Sequence, residues 1–158
     1  MKSKIVLGLL IFVISCKSEI QPTKSSASPI QASNLQGIWE NVEIKVEVKN
    51  DSSYLFIVEE DDWQNILQIR PTQSYFYPDQ TYRQVFIGLD NSILDTKKGS
   101  WLLNQDTLTI TLPEDTLKYS VRLQKGMLLM RGQVDWNSDG QKNDIYFGKQ
   151  RQVSKSLN

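Results

Sequence analysis

The sharpest local pattern of oxygen donors in the chain is Asp135-Trp136-Asn137-Ser138-Asp139-Gly140-Gln141-Lys142-Asn143-Asp144. Asp135, Asn137 and Asp139 alternate and are followed by Gly140. That is the first half of an EF-hand-type calcium loop, in which oxygens from one short segment converge on a hard cation. On this reading Gly140 permits the sharp turn, the carbonyl of Gln141 supplies a further ligand, and Asn143 or Asp144 the next. Position twelve is Tyr146, where an EF-hand carries a bidentate glutamate, and the flanks read as strands. The closer pattern is a calcium-bound hairpin loop of the kind found in extracellular modules. The same residues also suit a plain reversal held by Asx side chains, and spacing leaves both readings open.

Other chemistry is sharply limited. The 158 residues include no histidine and one cysteine. A Ser-His-Asp triad, a Cys-His pair and the usual Cys/His zinc sets are therefore excluded. Acid–base work would fall to Asp, Glu, Lys or Tyr. Glu59-Glu60-Asp61-Asp62 is four consecutive acids. It does not give two carboxylates facing one bond across roughly 5–10 Å, as glycoside hydrolysis needs, and it reads as a solvated loop. Tyr75 and Tyr77 should face one way and Phe76 the other, which is ordinary strand packing. No enzyme is expected. Eighteen basic residues balance 18 acidic ones with no basic block, so neither nucleic acid nor a polybasic lipid contact is indicated.

The single cysteine, Cys16, closes an N-terminal pattern. Met1-Lys2-Ser3-Lys4 is basic, and Ile5 to Ile14 is apolar apart from Gly8. Val13-Ile14-Ser15-Cys16 resembles a lipobox, where the thiol is acylated and the chain is cut just before it. The apolar run is too short to span a bilayer. Residues 1–15 are then a lipoprotein signal peptide, and the mature chain is held in the cell envelope by acyl chains on Cys16. Lys17 after the cysteine implies, by the same resemblance, the outer membrane, on either side. Residues 16–34 form a Ser-rich tether carrying Pro22 and Pro29, with a reach of roughly 20–25 Å.

From Gly37 onward the pattern is β. Val42, Ile44, Val46 and Val48 alternate with Glu43, Lys45 and Glu47, and Leu108–Leu112 and Tyr119–Leu123 alternate likewise. Period two marks strands with one face inside. Pro78-Asp79-Gln80, Leu89–Ser92, Asn104–Asp106, Pro113–Asp115 and Lys125-Gly126 supply the reversals. The expected fold is all-β: an antiparallel up-and-down meander of about eight to ten strands, closed into a barrel or folded as a sandwich. No helix is expected with certainty, although the acids before Trp63 could open a helical turn.

Gly37-Ile38-Trp39 starts the first strand, and Gly99-Ser100-Trp101 is read as starting another. Here the chain resembles the bacterial lipocalin-like (calycin) domains often found on lipoproteins. The resemblance covers residues 35–151 and leaves 152–158 as a tail. It implies a lipocalin-like barrel closed at one end by the Trp39 indole, with a basic side chain of the last strand, Arg151 or Lys149, packed on it. The Thr-Asp-Tyr-type signature of typical lipocalins is absent. The function the resemblance implies is a binding module for a small apolar or amphipathic ligand; the alternative is a structural or accessory envelope lipoprotein whose filled barrel meets a protein partner. A cavity of at least ~300 Å³ would favour the first.

Overall fold

A computed structural model describes residues 30–50 and 52–157. Cys16 and the signal pattern lie outside the described residues. The expected meander is present. Nine antiparallel strands follow in order: β1 (Gly37–Val48), β2 (Tyr54–Val58), β3 (Gln73–Phe76), β4 (Thr81–Ile87), β5 (Ile93–Asn104), β6 (Thr107–Thr111), β7 (Thr116–Gln124), β8 (Met127–Val134) and β9 (Asp144–Ser154). β9 pairs back on β1, so β1 and β3–β9 close an eight-strand barrel, with β2 as the one extra strand.

β1 explains how nine strands fit. Its first residues pair with β3 (Gly37↔Phe76 to Glu40↔Gln73), and its last five pair with β2 on the same edge (Ile44↔Val58 to Val48↔Tyr54). A bulge lies between Asn41 and Glu43 against β9. Asn41 and Val42 are both buried, so the inward positions switch from odd (Gly37, Trp39, Asn41) to even (Val42, Ile44, Val46, Val48). An extra residue in one strand does this while bending it. The four expected even positions are all inside.

The buried residues form two groups. Leu35, Trp39, Phe76, Trp101, Leu108, Leu128 and their neighbours fill the end where the chain enters. Ile44, Val46, Val48, Val58 and Trp63 fill the other, under β2 and a single wide helical turn, Trp63–Leu67. Tyr146 packs against both groups.

Three boundaries differ from the sequence reading. A one-turn helix, α1 (Ala32–Leu35), replaces the last residues expected as tether, because Leu35 and Ile30 have core to pack against. β9 runs to Ser154 rather than stopping at 151, and Gln152 Nε2 donates to the Gln36 carbonyl at 2.9 Å. Gly99 lies within β5, six residues after its start, not at the beginning of a strand.

Candidate functional site

The barrel interior is the first place to seek a site. Its polar residues are largely paired. The Ser74 and Tyr82 hydroxyls lie 3.2 Å apart, and Gln150 Nε2 donates to Asn41 Oδ1 at 2.8 Å. Tyr119 and Tyr146 pack ring to ring at 5.5 Å. Burial pushes the Tyr82 hydroxyl up to about 12, with Ser74 opposing weakly. Burial raises Tyr146 and Tyr119 as well, and the neighbouring phenols add to the effect. Among these residues lies a void of about 40 Å³, bounded by Tyr82, Tyr119, Met130, Tyr146 and Gln150. It has room for a water or two.

The chain-entry end carries the expected Gly-x-Trp. Trp39 is 2% exposed, and its indole N–H donates to the Leu35 carbonyl at 2.7 Å. Gly37 has φ +126°, and a Cβ there would run into the Ser154 carbonyl oxygen, so the first position must be glycine. Trp101 repeats the device: its indole donates to the Tyr77 carbonyl at 3.0 Å and packs edge-on to Phe76 at 5.5 Å. The expected cation over Trp39 is not formed by Arg151. Across the ladder Arg151 faces Glu40 on the outer side, while Trp39 faces inward. The Arg151 guanidinium bonds Glu60 at 2.8 Å and reaches Glu40 at 3.7 Å. Lys149 sits opposite Glu43, at 4.0 Å. Strand parity separates both cations from the indole. The acidic stretch 59–62 thus lends Glu60 to an ion pair and is otherwise a surface loop.

The Asp135–Asp144 loop joins β8 to β9. Asp135 Oδ1 and Oδ2 accept the N–H groups of Asp139 (3.0 Å) and Gly140 (2.9 Å). Asn137 Oδ1 also accepts the Asp139 N–H, and its amide donates to Asp139 Oδ2 at 3.2 Å. Asp139 Oδ1 accepts the Gln141 N–H at 2.8 Å. Gln141 Oε1 takes the Asn143 amide at 3.5 Å, leaving the buried Asn143 Oδ1 without a partner. Asp144 is fully buried. Its Oδ1 accepts the Lys49 N–H at 2.6 Å and its Oδ2 the Trp136 N–H at 2.8 Å. Burial alone would raise its pKa, but the N–H donors of Lys49, Trp136 and Asn137 outweigh it and hold the carboxyl below its ordinary range. Ser138 and Gly140 take positive φ (59° and 85°). The geometry is that of nested Asx turns anchored by Asp144. Among the described residues no group of three His, Cys, Asp or Glu is placed to hold a metal ion.

A larger concavity lies on the outer wall, across β7, β8 and β9, with a volume of about 680 Å³. Register builds it in rows. Arg122, Leu129, Lys149 and Glu43 lie side by side across β7, β8, β9 and β1, and Ser120, Arg131, Phe147 and Lys45 form the next row. Lys125 and Met127 close the trough at the β7–β8 turn. Arg131 and Lys45 sit over the Phe147 ring at 5.4 and 5.8 Å. Sequence reasoning missed this site. Each base is an ordinary outward residue of one strand, and only the pairing of strands gathers them.

No family model matches the chain, and no curated protein matches it either. Among the described residues no helix is long and apolar enough to cross a membrane.

Proposed function

We propose that the protein is a lipocalin-like envelope lipoprotein that works as a lipid-anchored accessory protein. Its barrel is filled by its own side chains, and it acts through a protein partner on its outer wall. The observation that carries this reading is the interior void of about 40 Å³, against the ~300 Å³ at which ligand pockets begin. Trp39, Trp63, Phe76, Tyr82, Tyr119 and Tyr146 occupy the volume that an interior ligand would need. The wall alternates as an eight-strand barrel of this kind should, and small barrels fill their interiors with side chains.

The test is a thermal-stability screen against fatty acids, hydrophobic dyes and small sugars. A ligand bound inside raises stability by about 2.7 kcal/mol at a hundredfold excess over its Kd. The expected result is no shift with any of them. A saturable stabilisation removed by enlarging Met130 to Trp would overturn the reading in favour of an interior binding module.

The anchor is tested separately. Cys16→Ser is expected to leave the protein unprocessed and to move the mature domain out of the membrane fraction, since stable anchoring needs more than one acyl chain. A variant that stays processed and membrane-bound would remove lipidation from the proposal.

A further inference from the structure

We infer that the outer-wall trough of β7, β8 and β9 docks an extended acidic segment of a protein partner, with carboxylates at alternate positions facing the wall. The inference rests on the reading that the protein acts through its outer wall. Arg122, Lys125, Arg131 and Lys149 line the trough against one acid, Glu43, which meets Lys149 only at 4.0 Å. Arg122, Lys125 and Arg131 form no ion pair among the described residues. Four of the chain's 18 basic residues thus line one concave face that holds a single acid.

Successive outward residues on a strand are roughly 7 Å apart, and adjacent strands are about 4.8 Å apart. The row containing Arg122 and Lys149 and the row containing Arg131 are therefore separated by one strand repeat. An extended peptide has the same repeat, so carboxylates two residues apart meet successive rows. Its intervening side chains point away from the wall, and the carboxylate stems lie over Leu129 and Phe147, which share those rows. Guanidinium forks at Arg122 and Arg131 suit carboxylates in particular.

The cations line a concave wall, which an extended segment can follow and a flat headgroup surface cannot. Its volume of about 680 Å³ lies within the range of ligand-sized clefts.

The probe is a fluorescein-labelled seven-residue peptide of alternating Glu and Leu, titrated with the full chain by fluorescence polarisation. Saturable binding is expected, weakening several-fold between about 0.01 M and 0.15 M ionic strength as the charges are screened. Arg122→Glu with Arg131→Glu should weaken it about tenfold or more. Lys118→Glu, on the outer face of β7 beyond the trough, should not. Arg122→Gln with Arg131→Gln serves if the charge reversals disturb folding, which the melting curve reports. Failure of the peptide to saturate, or equal binding of a Lys-Leu peptide, overturns the inference. Binding to phosphatidylglycerol vesicles with the peptide silent overturns it in favour of a lipid surface. None of these outcomes bears on the filled barrel, which the thermal screen tests alone.

Discussion

Among the described residues Asp144 is the only charged side chain that is buried. Its two oxygens accept three backbone N–H groups, from Lys49, Trp136 and Asn137. Those donors belong to the end of β1 and the β8–β9 loop, so one carboxylate pins two distant parts of the chain. Losing the acceptor of a buried donor costs about 1–3 kcal/mol, and less where water reaches the donor, as it does at these part-buried bonds. Asp144→Ala should therefore lower unfolding stability by roughly 1–2 kcal/mol at neutral pH. The pH dependence follows from the lowered pKa. The stabilisation is fully present above the unfolded carboxyl value, near 3.9, and is lost as pH falls through the lower folded value. Urea melts at pH 7 and pH 3 should show the gap between the wild type and Asp144→Ala narrowing in acid. A gap that stays constant with pH would mean that the carboxylate's charge is not what the donors hold. The acid was visible in the sequence as a candidate cation ligand. Its partners were not, because Lys49 lies 95 residues away.

At the scale of the element, turn chemistry and period two carried well from sequence to structure. All five expected reversals fall between strands, and Val42 to Val48 face inward as their alternation requires. What stayed hidden was pairing. The bulge at Asn41–Glu43 changes which parity faces inside; an inward Trp39 and an inward Val42 imply such a switch, but only the pairing with β9 locates it. The same blindness placed Arg151 over Trp39, and left the bases of β7, β8 and β9 looking unrelated. The β8–β9 loop shows the limit differently. Asp, Asn and Asp at alternate positions fit both a cation loop and nested Asx turns, and only the donors decide. Every carboxylate oxygen of Asp135, Asp139 and Asp144 already accepts an N–H. Millimolar calcium is therefore expected to leave the melting temperature unchanged relative to chelator. A rise that Asp139→Ala abolishes would show that the loop reorganises around an ion.

For the whole molecule, the filled interior has a consequence in alkali. Tyr82, Tyr119 and Tyr146 border the same small void, and burial raises all three hydroxyls, Tyr82 to about 12. Each must stay neutral for the barrel to stay closed, since a phenolate inside would be a charge without a partner. The unfolded chain titrates its tyrosines near 10. With folded values raised, the stabilisation is whole below pH 10 and is lost as pH climbs from there through the folded values. Each unit of difference is worth about 1.4 kcal/mol, so three such groups in one core make the decline steep. The barrel should unfold cooperatively between about pH 10 and 12. In a Tyr54→Phe, Tyr75→Phe, Tyr77→Phe background, where only the three core phenols report, tyrosinate absorbance and loss of β circular dichroism should rise together. Tyr82→Phe should shift that transition to higher pH, because one of the three linked protons is gone. Were the interior an open, hydrated ligand cavity, the same phenols would ionise gradually and ahead of unfolding. Absorbance of the three core phenols that precedes the loss of β structure would therefore count against a filled barrel as directly as a bound fatty acid.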